Sequence, residues 1–157
     1  MTRYEKGLDA AVKAGLEVKE KPLRSDAKAL IKGNKIALNS LKLTTTKEKT
    51  CILAEEIGHY YTAVGNILDP REDENRKQEQ KGRLWAYNNL IGLNGIINAH
   101  RSGKVHSFED MAEYFEVSME FLMEALNRYR QKYGLCAEID NYVIFFDSFA
   151  VMERMEL

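Results

Sequence analysis

The segment from residue 46 to residue 64 constrains the fold more than any other, because it predicts a long helix with one buried face. Apolar side chains recur there at the three- and four-residue spacing of a helix face, at Leu53, Ile57, Tyr60, Tyr61 and Val64. Thr45 and Glu48 have capping-box spacing at its start, and Gly65 offers a left-handed stop after its end. Other elements of the chain must therefore cover this face and form a core with it.

The same segment, TCILAEEIGHYYT, contains the polar residues of a metallopeptidase helix in altered form. In a His-Glu-x-x-His helix the two histidines lie four residues apart and project onto one Zn²⁺, and the glutamate takes a proton from the metal-bound water. Here Glu55 and His59 occupy the ligand positions and Glu56 occupies the position of the base. Gly58 leaves room beside the site. A carboxylate therefore stands where the first imidazole is expected.

Glu79, in the next predicted helix, is a candidate third ligand. It shares a helix face with Gly82, Ala86 and Leu90, and small residues on a face allow another helix to approach closely. An inward Glu79 needs a partner, because burial of an unpaired carboxylate is costly. A metal ion would serve and so would an arginine, and the sequence does not choose between them. The alternative for the whole motif is an exposed acidic helix face, where two acidic residues followed by a histidine are common.

The pattern around these helices predicts an α+β fold. A helix is expected over residues 2–14, and a hairpin over AKALIKGNKIALN with its turn at Gly33-Asn34, which gives a small antiparallel sheet. Further helices are expected through LWAYNNL and IGLNGIINAHRSG. We expect two parts: residues 1–103 with the motif, and residues 104–157 as a helix-turn-helix-like unit that ends in the strand YVIFF and packs on the first part.

Charge and cysteine content restrict the class of protein. The formal net charge is −1, which gives no field that would attract nucleic acid or an acidic membrane. The charged N-terminus lacks the apolar region of a signal peptide, and no apolar run approaches the roughly 20 residues that span a bilayer. Cys51 and Cys136 are too few for a disulfide framework, so we expect two reduced thiols in a cytoplasmic protein. A buried thiol at Cys51 is favoured over a metal-ligating one.

The order of these segments resembles the ImmA/IrrE family of zincin-like metallopeptidases, in the short form found in phages and mobile elements. The resemblance extends from about residue 20 to the C-terminus, through CILAEEIGHYYT, NRKQEQKGRLWAYNNLI and the helix-turn-helix-like unit. The family's Glu-x-x-Ala-x-x-Phe-Ala pattern corresponds to Glu79, Gly82, Trp85 and Ala86. The resemblance implies a zincin-like core and a zinc-dependent peptidase that cleaves a helix-turn-helix repressor, which relieves repression of the element's genes.

Glu55 departs from the family's motif and turns a two-His, one-Glu site into a one-His, two-Glu site. The summed charge of Zn²⁺ and its ligands then falls from +1 to zero. Such a site polarises its water less, and its oxygen ligands admit Mn²⁺ or a similar divalent ion. Two hypotheses follow. One is an active enzyme with a divalent ion at Glu55, His59 and Glu79 and with Glu56 as the base. The other is an inactive relative that binds a regulatory protein partner.

A DNA-binding regulator is a third hypothesis, because the apolar pattern after Ser107 is that of a helix-turn-helix with Glu116 in the turn. The residues that would face a major groove are Ser118, Met119, Glu120, Met123 and Glu124. Carboxylates repel phosphate, and between Val105 and Tyr133 six acidic residues face three Lys/Arg. We therefore expect a repressor protein as substrate or partner, and neither direct nucleic-acid binding nor a membrane partner.

Overall fold

The computed structural model of the protein describes residues 1–63 and 72–155, and the expected mixture of helices and small sheets is confirmed there. The helices are α1 (Arg3–Lys13), α2 (Thr46–Thr62), α3 (Glu72–Leu90), α4 (Gly92–Arg101), α5 (Phe108–Phe115) and α6 (Met119–Tyr133). The strands are β1 (Glu17–Lys21), β2 (Ala29–Lys32), β3 (Lys35–Asn39), β4 (Cys136–Ile139), β5 (Tyr142–Phe145) and β6 (Ala150–Glu153). No helix in this part of the chain is long and apolar enough to cross a bilayer.

Two compact units make up the chain, Met1–Ala86 and Tyr87–Leu157. The boundary between them falls inside α3, whereas the sequence placed the end of the first part at residue 103. The functional division into residues 1–103 and 104–157 stays a prediction.

The sheet of the first unit has the strand order β1-β3-β2. β2 and β3 form the predicted hairpin, in which Lys32 pairs with Lys35 and Gly33 turns with a φ of 61°. The expectation of an antiparallel sheet is wrong for β1, which pairs in parallel with β3. A parallel pair needs a connection of about a dozen residues or more. The chain between β1 and β3 provides that length because it runs through β2, and the sheet is therefore mixed.

Asn39 holds the connection between β1 and β2 against the end of β3. Its side chain is buried. The oxygen Oδ1 accepts hydrogen bonds from the amides of Leu23 at 3.2 Å and Leu41 at 3.1 Å. The nitrogen Nδ2 donates to the carbonyl oxygens of Ser25 at 3.4 Å and Ala27 at 2.9 Å. All four hydrogen-bonding positions of the buried amide are thus used, which fixes the path of the connection.

α1 and α2 complete the core of the first unit. Its buried members are Ala11, Leu16, Ile36, Leu38, Leu43, Leu53 and Ile57. α1 begins with a capping box formed by Thr2 and Glu5. α2 begins at the predicted cap, where the hydroxyl of Thr45 accepts a hydrogen bond from the amide of Glu48 at 3.1 Å. Both helices therefore start where side chains satisfy their first free amides.

The predicted core face of α2 is wrong for its two tyrosines. Tyr60 is 40% exposed and Tyr61 is 48% exposed, in contrast to the buried Ile57 one turn earlier. The two rings contact each other with centroids 5.8 Å apart, and Tyr61 also contacts Trp85 at 5.4 Å. Their hydroxyl groups favour contact with water, so helical spacing alone overestimates their burial. The predicted helix end at Val64 and Gly65 lies outside the described residues; α2 itself ends at Thr62.

α5 and α6 of the second unit are joined by the turn that the sequence predicts. Glu116 ends α5 in the left-handed conformation, with a φ of 56°. Ser118 begins α6, because its hydroxyl accepts a hydrogen bond from the amide of Phe121 at 3.1 Å. The apolar side chains buried in these two helices and their turn are Met111, Ala112, Phe115, Val117, Phe121, Leu122, Ala125, Leu126 and Tyr129.

The tail of the second unit forms three antiparallel strands in the order β4-β5-β6, rather than the single strand expected from YVIFF. The predicted strand is β5. The chain reverses on both sides of it, with φ values of 54° at Asp140 and 56° at Ser148. Small polar residues tolerate this left-handed conformation, and the two reversals bring β4 and β6 against β5.

Replacement of Asn39 tests its role in the β1–β2 connection. Asn39→Leu leaves buried amide and carbonyl groups without partners, so we expect the free energy of unfolding to fall by about 1–3 kcal/mol. Urea denaturation followed by circular dichroism measures the loss. Asn34→Ala is the matched control, because its exposed side chain makes one hydrogen bond of 3.3 Å to the Gly15 carbonyl. An equal loss in both variants would contradict the assigned role.

Candidate active site

α2 and α3 are in close contact at two glycines. A Cβ atom added to Gly58 would lie 2.3 Å from the backbone oxygen of Gly82. A Cβ atom added to Gly82 would lie 2.0 Å from Cδ2 of His59. At Gly58 the clash would be with the α3 backbone, so only glycine fits there, and a side chain at Gly82 would displace the His59 ring. The close approach of helices expected from the small residues of α3 is confirmed.

His59 is held against α3 by this approach. Its Nε2 atom lies 3.1 Å from Oε2 of Glu79. The pair lacks hydrogen-bond geometry, and the buried Nε2 atom has no hydrogen-bond partner in the part of the chain that the structure describes. On the other side of the ring, Nδ1 lies 3.8 Å from Oε2 of Glu56. The imidazole therefore lies between two carboxylates, and the nitrogen that faces Glu79 is unsatisfied.

Glu79 has an arginine neighbour that the sequence analysis left open as an alternative to a metal ion. Its Oε1 atom lies 3.2 Å from Nε of Arg83, one helical turn later in α3. Its other oxygen faces His59, so one carboxylate contacts both side chains. The Arg83 interaction was missed as part of the site, although the four-residue spacing between Glu79 and Arg83 signals such a pair.

The structure brings together two of the three predicted metal ligands, His59 and Glu79. Glu55 is partly buried on α2, and its charge acts on His59. Within residues 1–63 and 72–155, no three His, Cys, Asp or Glu side chains are grouped closely enough to hold a metal ion. The assignment of Glu55, His59 and Glu79 to one ion stays a prediction. Cys51 is buried, as expected for a structural thiol.

The carboxylates around His59 favour a positive charge on its ring. Glu56 is the largest cause that raises the pKa of the imidazole above its ordinary value. Burial opposes this shift, and the charges of Glu79, Glu56 and Glu55 add to it. A divalent cation at the imidazole would meet the same preference for positive charge.

The distance between His59 and Glu79 fits two ligands of one metal ion. Zinc bonds to nitrogen and oxygen are about 2.0–2.1 Å long, so two ligand atoms of a tetrahedral ion lie about 3.3 Å apart. The separation of Nε2 from Oε2 is 3.1 Å. A cation between these atoms would also satisfy the buried Nε2 atom, which has no other partner among the described residues. His59 and Glu79 therefore fit a divalent ion.

The glycine contact between the two helices can be tested through stability. Gly58→Ala gains about 1 kcal/mol of helix propensity, but its methyl group must push aside the α3 backbone. Overpacking of this kind costs about 1–3 kcal/mol and sometimes more, so we expect a net loss of unfolding free energy in urea denaturation.

Gly7→Ala is the matched control in the same unit. Its added carbon would meet only the end of the Leu53 side chain, at 3.1 Å, which can move. We expect the free energy of unfolding to change by no more than about 1 kcal/mol in either direction. The gain in helix propensity is the same as at Gly58, and the movement of the Leu53 side chain opposes it. A Gly58→Ala variant as stable as Gly7→Ala would show that the helices do not approach as described.

Comparison with known proteins identifies the family. Residues 11–127 match the Peptidase_M78 family, described as an IrrE N-terminal-like domain. No curated protein and no solved structure matches the chain. The match covers well over half of the sequence and includes α2, α3 and the glycine contact between them. The resemblance to the family, though not to its short phage form, is confirmed: the chain belongs to the Peptidase_M78 family of IrrE N-terminal-like, metallopeptidase-related domains.

Proposed function

We propose that the protein is a metal-dependent endopeptidase that cleaves a helix-turn-helix repressor of a phage or mobile element. The observation that carries the proposal is the placement of Nε2 of His59 3.1 Å from Oε2 of Glu79, with the nitrogen buried and without a hydrogen-bond partner among the described residues. Membership in a metallopeptidase-related family supports it. The repressor as substrate, and the relief of repression that follows cleavage, come from the resemblance to ImmA/IrrE proteins.

In this proposal His59, Glu79 and Glu55 hold the ion. A bound Zn²⁺ or Mn²⁺ would supply Lewis-acid polarisation of the peptide carbonyl and of a water molecule. The carboxylate of Glu56 accepts the proton of that water and delivers it to the leaving amine. The side chain of Glu56 is 15% exposed and lies on the His59 side of α2, which supports this role.

The architecture we propose is a zincin-like core in residues 1–103 with a helix-turn-helix-like unit in residues 104–157. The order of helices and small sheets supports it, as does the family match. α5 and α6 supply the two helices of the second part. In this arrangement the core carries the chemistry and the helix pair serves in recognition of a protein.

An inactive relative that binds a regulatory partner is the second candidate, and Arg83 is the observation that favours it. Oε1 of Glu79 is 3.2 Å from this guanidinium, so part of the charge available to a cation is already neutralised. The carboxylate that replaces the first histidine also favours an inactive protein, because it weakens polarisation of a water molecule by the metal ion. Metal binding and cleavage distinguish the two candidates.

Metal binding is tested first. We expect purified wild-type protein to bind one Zn²⁺ or Mn²⁺ per chain in isothermal titration calorimetry. Loss of a group that only hydrogen-bonds to a metal ligand already costs about 10–100-fold in metal affinity, so His59→Ala and Glu79→Gln should each cost at least that much. Glu48→Gln, at the start of α2, is the control and should bind as wild type. Unchanged affinity in His59→Ala would remove this site from the proposal.

Cleavage is tested with Glu56→Gln, because an amide cannot accept the proton of the attacking water. We expect metal binding and fold to be retained and the cleavage rate to fall by about 10²–10⁴. The assay incubates each variant with a helix-turn-helix repressor encoded beside this gene and with Zn²⁺ or Mn²⁺. Cleavage at the wild-type rate by Glu56→Gln would show that another group is the base.

Glu55→His tests the altered motif with a variant that is expected to raise activity, in contrast to Glu56→Gln. It restores a two-His, one-Glu ligand set, so we expect tighter Zn²⁺ binding and faster cleavage in the same assays. If neither wild type nor Glu55→His cleaves the repressor while wild type binds it, the partner-binding candidate replaces the enzyme.

A further inference from the structure

The turn before α6 and the first half of α6 present an exposed surface that combines acidic and methionine side chains. We call it the acidic methionine surface; it consists of Glu116, Met119, Glu120, Met123 and Glu124. Met119 and Met123 are each 38% exposed, so both thioether side chains reach solvent. The three glutamates are also exposed. The active-site proposal uses none of these residues.

Packing on the opposite side of α6 fixes the orientation of this surface. Phe121, Leu122, Ala125 and Leu126 are buried, so the helix cannot rotate to hide the methionines. Met119 and Met123 lie four residues apart, about one helical turn, and form a short apolar row. Glu120 and Glu124 form a parallel acidic row beside it. One face of an amphipathic partner helix, with an apolar row beside a polar row, would match these two rows.

The charge of the surface is of one sign. Arg128 is the first basic residue of α6, one turn beyond Glu124. Glu124 accepts a hydrogen bond from the hydroxyl of Tyr87 at 3.4 Å, which restrains its carboxylate. Such a surface repels nucleic-acid phosphate and attracts Lys and Arg side chains.

We infer that the acidic methionine surface is a docking site for an amphipathic helix that carries Lys or Arg side chains beside apolar ones. Charge complementarity selects the basic residues of the partner, and the methionine row selects its apolar residues. Thioether side chains adapt to apolar partners of differing shape, which suits recognition of a helix. We identify the partner helix as the basic DNA-reading helix of the repressor, and this identification rests on the proposed function.

A direct binding measurement tests the surface without catalysis. The probe is a fluorescent synthetic amphipathic helix of about 20 residues with Lys on its polar face and Leu on its apolar face; the control probe has Glu in place of Lys. We expect anisotropy titration of the full chain to show binding of the Lys peptide only. The affinity should fall as ionic strength rises, because the attraction between exposed charges is screened.

Three variants locate the binding. Glu120→Gln should weaken binding of the Lys peptide about threefold and Met123→Ala about fivefold. The double variant should weaken it about tenfold or more. Asn98→Lys, at an exposed position of α4, changes net charge by the same +1 as Glu120→Gln and should leave affinity unchanged. Thermal unfolding confirms that each variant is folded, which is expected because all three positions are exposed.

Four results would overturn the inference. These are no binding of the Lys peptide, equal binding of the Glu peptide, equal weakening by Asn98→Lys, and wild-type self-association in sedimentation that the double variant abolishes. The last result would assign the surface to a second copy of this chain.

Failure of the inference is distinguishable from failure of the proposed function. If the double variant cleaves the repressor with unchanged kcat/KM, the docking site is wrong and the peptidase stands. If the peptide binds as expected but wild type neither binds metal nor cleaves, the docking site stands and the peptidase is wrong.

Discussion

The contact between Gly58 and Gly82 is the constraint on which the rest of the candidate site depends. Any side chain at Gly58 would collide with the α3 backbone, so the close contact of α2 with α3 requires glycine there. His59 follows Gly58 directly, so its ring is placed over α3 beside Gly82. Glu79 is one turn before Gly82 on the same helix. The backbone contact therefore places the imidazole beside α3, and the side chain of Glu79 brings its carboxylate to the ring.

The charges around His59 then decide what the site can bind. Glu56, Glu79 and Glu55 together favour a cation at the imidazole, while Arg83 supplies a competing positive charge on the outer oxygen of Glu79. This balance of charges distinguishes an enzyme from an inactive relative. The carboxylates attract a metal ion, and the positive charge of Arg83 reduces that attraction. The same arginine also holds the Glu79 carboxylate with one oxygen directed at His59.

Several expectations failed for reasons that local patterns do not contain. β1 pairs in parallel with β3, and its pairing depends on a connection whose path is fixed by the buried amide of Asn39. Tyr60 and Tyr61 have the spacing of core residues but are exposed at the end of α2. The strands on either side of β5 depend on reversals at Asp140 and Ser148, neither of which was predicted as a turn.

The sequence by itself determined the helix with Glu55, Glu56 and His59, the cap at Thr45, the β2–β3 hairpin and the family. These follow from short-range spacing, which reports the period of a helix or strand and the residues that end it. Only the tertiary structure decided that Nε2 of His59 faces Glu79, that Arg83 shares this carboxylate, and that Glu55 lies in no group of three possible metal ligands among the described residues. Those relations depend on how closely two helices pack. The distance between two helices depends on the side chains of both at their contact, so the sequence of one segment does not determine it.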